Sequence, residues 1–195
     1  MVSLRQPFNT RLDFTAGAII PEGAKVVRRL GDMRDMYQDR EAVQRLLDGG
    51  DPLIYVVHNV EVPEDSGELQ HCTSVVYPGR VGDEFFMTKG HFHAKAGTAE
   101  IYLTLRGKGL LLMQTQDGAT ATLDMFPGSV SYIPPYWAHR SINVGDEPLV
   151  FFAVYPGDAG HNYGVIEEKG FAKIVVARGD DVAVVDNPRY GGCRT

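Results

Sequence analysis

Four side chains of the kinds that bind transition metals occur in two short stretches of the chain. His91 and His93 are two residues apart in the string TKGHFHAKAGTAE, so on an extended strand both project from the same face. Glu100 ends that string and begins EIYLTL, a run of β-forming residues, so it can turn inward beside the histidines. His139 comes later, after a short strand pattern and two adjacent prolines. Together the four residues predict a site for one divalent ion.

The ligand types restrict the metal without selecting one. Mixed imidazole and carboxylate ligands suit Fe²⁺, Mn²⁺, Ni²⁺ or Zn²⁺. A single histidine in a strand is more often a hydrogen-bonded core residue, which is our interpretation of His58 and His71. The combination of HxH, a following glutamate and a distant histidine favours a metal site instead.

The chain that must position these residues has the pattern of an all-β protein. After Gly50, short runs of β-forming residues alternate with Gly and Pro turns. Many short strands at regular spacing predict an antiparallel sandwich or barrel, the jelly roll among them. The predicted strands are 54–60, 73–77, 85–88, 100–105, 109–114, 121–125, 129–133, 140–144, 149–155, 173–177 and 182–185.

The first fifty residues have a different pattern. Residues 1–27 are expected to form an irregular arm with one or two short strands. Residues 32–48 place apolar side chains at helical spacing, with Asp32 able to cap the start and two glycines at the end. We therefore predict a single domain over residues 1–195, in which 1–50 form the arm and one helix and 51–190 form the barrel.

Composition excludes several classes of function. A net charge of −6 without any basic run argues against nucleic-acid binding, so a small molecule is the expected partner. No apolar stretch reaches the length of a membrane span or of a signal peptide. The two cysteines, Cys72 and Cys193, lack metal-binding or disulfide spacing and are expected to have no role. We expect a cytoplasmic protein.

The motifs around the histidines resemble those of the cupin superfamily. Gly128, Pro134, His139 and Asn143 have the spacing of the second cupin motif, with Tyr136 where glycine is usual. In the first motif Gly107 follows Glu100 at the usual distance. The loop between His93 and Glu100 is longer than usual, and no glycine stands six residues before His91.

The longer loop and several longer strings point to a narrower group within the cupins. MTKGHFHAK, AEIYLTLRGKG, MFPGSVSYIPPYWAHRSINVGDEPL and YPGDAGHNYG look like the cupin-type phosphoglucose isomerases of archaea and some bacteria, over roughly residues 50–190. This resemblance implies a cupin jelly-roll barrel, glucose 6-phosphate and fructose 6-phosphate as substrates, and a homodimer. It also implies one divalent ion per subunit, most often iron as Fe²⁺.

The resemblance further implies roles for individual residues. His161 would assist opening of the sugar ring as an acid or base, Tyr102 would lie near the sugar, and Tyr163 offers a further hydroxyl donor. Lys89, beside the site, could attract the phosphate. The phosphate pocket would be lined by Tyr55, Ser74, Thr88, Gly90 and Tyr155.

Two chemical routes remain open at this point. Glu100 could carry a proton between the two sugar carbons, or a hydride could shift directly between them without a base. A cupin dioxygenase, which would use the same ligands, and a non-catalytic sugar-binding cupin are alternative functions. Activity on mannose 6-phosphate is also open.

Overall fold

The structure, a computed structural model, describes residues 5–21 and 23–190, and Cys193 lies outside these ranges. Most of the described regular structure is β-strand. The strands are β1 (Arg11–Asp13), β2 (Ala18–Ile20), β3 (Lys25–Arg29), β4 (Leu53–Asn59), β5 (Leu69–Val76), β6 (Arg80–Val81), β7 (Glu84–Phe85), β8 (Glu100–Arg106), β9 (Gly109–Gln114), β10 (Thr120–Met125), β11 (Val130–Ile133), β12 (Ala138–Asn143), β13 (Leu149–Pro156), β14 (Lys173–Arg178) and β15 (Asp181–Asp186). The helices are α1 (Leu30–Met33), α2 (Arg40–Asp48) and α3 (Gly164–Lys169), with a 3-10 turn at Arg34–Met36.

Two antiparallel sheets form the centre of the fold. One has the strand order β11-β8-β13-β5-β4-β3, and the other has the order β10-β9-β12. The chain leaves the first sheet after β8, forms the β9–β10 hairpin in the second, returns as β11, crosses as β12 and returns as β13. Consecutive strands that alternate between two antiparallel sheets are typical of a jelly roll. The predicted fold class is confirmed.

The apolar side chains of both sheets meet in one core. Phe151 on β13, Leu111 on β9 and Ile142 on β12 are almost fully buried in the same cluster. All six residues of β12 are buried, because both faces of this strand are covered. Asn143, the last residue of β12 and part of the second cupin motif, donates hydrogen bonds to two backbone carbonyls and accepts one from Gly145. It therefore fastens the turn that follows the strand.

The predicted helix over 32–48 is wrong in its extent. The helical region breaks at Tyr37, whose ψ of 150° is extended. The backbone N–H of Gln38 donates to the buried carboxylate of Glu84 instead of continuing a helix. Asp39 then caps α2 by accepting a hydrogen bond from Ala42 N–H at 2.8 Å. A further helix that we did not predict, α3, follows the loop that contains His161.

Several strand assignments also change. The predicted strand 73–77 begins four residues earlier, at Leu69, and β6 was not predicted. The expected arm includes β3, which pairs with β4 at the edge of the six-stranded sheet. The predicted strand 85–88 ends at Phe85. Further along the same stretch, Gly90 has φ +74° and so departs from extended backbone. His139 lies within β12 rather than before a strand.

Tyr136 has φ 72°, so this residue adopts the left-handed conformation that the usual glycine of the motif allows freely. Among the described residues, no helix combines the length and apolar character of a membrane span.

Candidate metal centre

The segment that carries His91 and His93 runs antiparallel to β12. The His91 N–H donates to the His139 carbonyl at 3.3 Å, and the His139 N–H donates to the His91 carbonyl at 3.1 Å. This pairing sets the two imidazole rings 4.5 Å apart between centroids. The alternation of side chains then places His93 on the same face as His91, as the sequence predicts.

The four predicted ligands lie together. One ligand atom from each of His91, His93, Glu100 and His139 lies within 4.8 Å of the others. Glu100, the first residue of β8, places Oε2 3.1 Å from His93 Nε2 and 3.0 Å from His139 Nε2. Three of the side chains are buried, and His91 is half-buried. This group could hold one metal ion.

The hydrogen bonds of His93 determine which ring nitrogen is free to bind a metal. His93 Nδ1 lies 3.2 Å from the Thr98 carbonyl and 2.8 Å from Thr98 Oγ1. The carbonyl can only accept, and the hydroxyl already donates its proton to the Lys95 carbonyl at 2.7 Å. Nδ1 must therefore be the donor, so the neutral ring keeps its lone pair on Nε2. A lone pair and a carboxylate oxygen 3.1 Å apart repel each other unless a cation lies between them.

His139 provides a second indication that a cation fits here. Its Nε2 is buried and 3.0 Å from Glu100 Oε2, yet it makes no hydrogen bond of acceptable geometry with any described residue. Buried polar atoms are normally satisfied, and an unsatisfied one needs an explanation. A metal ion shared by both atoms supplies that explanation, so the residues present fit a divalent ion.

The electrostatics of the group also favour metal binding at neutral pH. Burial, assisted by the neighbouring histidines, holds the pKa of His91 well below 6.5. Burial raises the pKa of Glu100, but its interactions with His139 and His93 outweigh this and hold the pKa below 4.5. Near pH 7, His91 is therefore neutral and Glu100 is ionised, which are the protonation states that coordination requires.

A cavity of about 430 Å³ opens beside the four ligands. His91, Glu100 and His139 contribute to its wall, whereas His93 does not. Every residue that we predicted to bind the substrate or assist ring opening lines the same cavity. These residues are Tyr55, Ser74, Thr88, Gly90, Tyr102, Tyr155, His161 and Tyr163.

Two further cavity-lining residues could have been found from strand periodicity. Gln70 and Cys72 precede Ser74 on β5 at intervals of two, so the three side chains point in the same direction. We expected Cys72 to have no role, whereas the structure places it in the cavity wall. Burial is the main cause that raises the pKa of its thiol. Lys89 also lines the cavity, and its ammonium group pairs with the Glu167 carboxylate of α3.

His161 lies at the rim of the cavity, on the loop after β13. Its ring centroid is 4.4 Å from that of His91 and 5.9 Å from that of Tyr163, on which it stacks. Burial is the main cause that holds the pKa of His161 below 6.5. At neutral pH the ring is therefore neutral, with one nitrogen able to donate a proton and the other to accept one.

Residues 27–190 match the family model described as Glucose-6-phosphate isomerase (GPI). The glucose-6-phosphate isomerase of Pyrococcus furiosus is 53% identical over 187 residues, which cover 95% of this chain and 98% of that protein. The glucose-6-phosphate isomerase of Thermococcus litoralis is 51% identical over 186 residues, 95% of this chain and 97% of that protein. A solved structure of oxalate decarboxylase from Bacillus subtilis is 24% identical, with a TM-score of 0.43, over 55% of this chain and 26% of that chain. The two isomerase matches extend over almost the whole chain, and the last match is partial.

Proposed function

The chain belongs to the glucose-6-phosphate isomerase family, and we propose that it interconverts glucose 6-phosphate and fructose 6-phosphate as a metal-dependent aldose–ketose isomerase. The observation that carries this proposal is the cavity. Its wall combines the metal-binding group with a second group of hydroxyl and amide donors, Tyr55, Ser74, Thr88 and Gly90. The first can act on sugar oxygens, and the second can bind a phosphate.

The second donor group is suited to an anion. Tyr55 and Ser74 come from the neighbouring strands β4 and β5, and Thr88 and Gly90 come from the segment beside β12. Both strands and this segment contribute to the wall of one cavity. A dioxygenase or a binding module for neutral sugars has no need of such a cluster.

We propose that His91, His93, Glu100 and His139 hold one divalent ion per subunit, with Fe²⁺ as the first candidate and Mn²⁺, Ni²⁺ and Zn²⁺ as the others. When bound, this ion supplies Lewis-acid stabilisation of negative charge on the sugar oxygens. Glu100 would carry the proton between the sugar carbons. Its Oε2 faces the two histidines, which leaves Oε1 as the oxygen for this step. His161 would exchange a proton with the ring oxygen during ring opening, because it is neutral and lies at the rim.

The experiment that tests the function is metal reconstitution. Protein stripped by a chelator is expected not to convert glucose 6-phosphate, and one of the four ions added singly is expected to restore turnover. Reconstituted protein that contains metal and is folded, yet converts no glucose 6-phosphate with any ion, would refute the isomerase proposal. Oxygen consumption on the same samples would then test the dioxygenase alternative.

We also propose that residues 1–195 form one domain that assembles as a homodimer in the cytoplasm, where sugar phosphates are found. The outer face of the six-stranded sheet supports the dimer. Ile101 on β8 lies beside Tyr132 on β11, and together with Val130 they expose 44%, 55% and 66% of their surfaces. Neighbouring exposed apolar side chains on one sheet face are typical of a protein interface.

Light scattering is expected to give the mass of a dimer for the parent and of a monomer for Val130→Asp, and a monomeric parent would contradict the proposal.

A further inference from the structure

The short segment from Thr88 to His91 is fastened to β12 at both ends. At one end, Thr88 N–H donates to the Ser141 carbonyl at 2.9 Å, and Ser141 N–H donates to Thr88 Oγ1 at 3.0 Å. At the other end, His91 and His139 exchange the backbone hydrogen bonds described above. The peptide unit between Lys89 and Gly90 lies between these two anchors, and no backbone pairing with β12 determines its orientation.

A buried guanidinium holds this peptide unit. Arg140 alternates with His139 along β12, so its side chain leaves the strand on the face away from the cavity. Only 4% of Arg140 is exposed, and its guanidinium lies over the Phe171 ring at 4.5 Å. Its Nη2 donates to the Lys89 carbonyl at 2.7 Å. This is a short, charge-assisted hydrogen bond between residues 51 positions apart.

The geometry of the peptide bond converts this contact into an effect on the cavity. Among the described peptide bonds only Ile20-Pro21 is cis, so the Lys89-Gly90 unit is trans, and its C=O and N–H point in opposite directions. A carbonyl held toward Arg140 aims the Gly90 N–H away from Arg140, and Gly90 lines the cavity. Gly90 N–H donates to no other described residue. The positive charge also polarises the amide and makes its N–H a stronger donor to an anion.

The packing leaves the segment little freedom to reorient. A Cβ added to Gly90 would lie 2.7 Å from the Phe171 ring and 3.1 Å from Arg140 Cβ. Phe171 itself is fully buried. The same aromatic ring therefore supports the guanidinium and limits the position of residue 90.

We propose that Arg140 is a positioning residue that aims and polarises the Gly90 N–H toward the phosphate group of the substrate. It increases affinity for phosphorylated ligands from outside the cavity, without touching them. The inference deepens the proposed function and rests on it. Arg140, which lies behind the site, thereby contributes to discrimination between phosphorylated and unphosphorylated sugars.

The test compares two ligands that differ only in the phosphate, glucitol 6-phosphate and glucitol, with inorganic phosphate as a third probe. Calorimetric dissociation constants are measured for metal-loaded parent and for Arg140→Met, which removes the charge and the donor at similar volume. Affinity for glucitol 6-phosphate and for phosphate is expected to fall about tenfold, the usual scale for loss of a charge-assisted hydrogen bond. Affinity for glucitol is expected to change less than about twofold, with metal content unchanged and KM for glucose 6-phosphate raised more than kcat is lowered.

Arg189→Met is the matched control. Arg189 also donates to backbone carbonyls, those of Tyr37 at 3.1 Å and Gln38 at 2.6 Å, but it does not contact Lys89. The control is expected to keep the parent ratio of the two glucitol dissociation constants. Equal loss of affinity for glucitol and glucitol 6-phosphate in Arg140→Met, or equal effects of both variants, would overturn the inference.

Two further arms keep the test decisive. If Arg140→Met does not fold, Arg140→Lys retains the charge without the planar fork and is expected to lose about threefold, again only for the phosphorylated ligands. No selective loss in that variant would also overturn the inference. If the parent binds inorganic phosphate but does not convert glucose 6-phosphate, the proposed function fails while the role of Arg140 can still be measured.

Discussion

The tautomer assigned to His93 leads to a prediction about Thr98. Thr98→Val has nearly the same shape but removes the hydroxyl that accepts from His93 Nδ1 at 2.8 Å and donates to the Lys95 carbonyl at 2.7 Å. The ring is then held only by the Thr98 carbonyl at 3.2 Å. We expect the imidazole to rotate more freely and to present Nε2 to the metal for a smaller fraction of the time.

The expected magnitude follows from what the substitution leaves in place. Loss of a hydrogen-bond partner behind a metal-binding histidine lowers metal affinity about 10–100-fold. Because the backbone carbonyl remains as a second acceptor, we expect a loss near the lower limit, about tenfold or about 1.4 kcal/mol. The metal-free protein should lose about 1 kcal/mol of folding free energy, the net value of one hydrogen bond.

The assay is a competition titration of metal between the protein and a chelator of known affinity. Thr98→Ser, which keeps the hydroxyl, is the control and is expected to stay within about twofold of the parent. Urea unfolding of the metal-free forms separates loss of metal affinity from loss of stability. A metal dissociation constant for Thr98→Val equal to that of the parent would refute the assignment of the proton to Nδ1 by this hydroxyl.

Three other predictions concern the metal group and a helix cap. His139→Ala should lower metal affinity at least about 100-fold, because it removes one of four ligands; unchanged binding in the same titration would contradict the four-ligand group. The metal-free protein should lose stability as pH falls below about 6.5, because the unfolded chain binds protons that His91 in the folded protein resists. Urea midpoints at pH 7.5 and 5.5 measure this, and His91→Gln should reduce the difference. Asp39→Ala should lower the unfolding free energy by about 1 kcal/mol, because it removes the side chain that accepts from Ala42 N–H, and should leave the KM for glucose 6-phosphate unchanged. Asp39→Asn, which can still cap α2, should retain most of the stability.

Much of the candidate site could be predicted because its residues follow local rules. The spacing of His91 and His93 placed both on one face of an extended segment, and Glu100 at the start of a β-rich run faces inward beside them. Short strands separated by Gly and Pro turns, a pattern that depends on neighbouring residues alone, predicted an antiparallel sandwich or barrel. The resemblance to cupins implied the jelly roll. The residues predicted to bind the substrate were implied by resemblance to a family, and all of them line the cavity.

The break in the helical region was not predicted, because its causes are partly distant in sequence. A helical pattern over residues 32–48 is a local preference, and it does not register the hydrogen bond from Gln38 to Glu84, 46 positions away. Asp32 was the predicted cap, whereas Asp39 caps α2 after the interruption. Tertiary contacts commonly override local helix propensity in this way.

The sequence by itself determined which side chains can bind a metal and on which strand face they lie, because alternation along a strand depends only on position. Only the tertiary structure decided how those side chains are held. Thr98 assigns the proton of His93, and Arg140 reaches the Lys89 carbonyl across 51 positions while it packs on Phe171. Neither contact has a periodic signal. The first depends on the conformation of one loop, in which His93 and Thr98 are five positions apart, and the second depends on segments that meet only after the sheets have packed. The physical reason is that a hydrogen bond requires a particular atom at a particular distance and angle, which hydrophobic patterning does not encode.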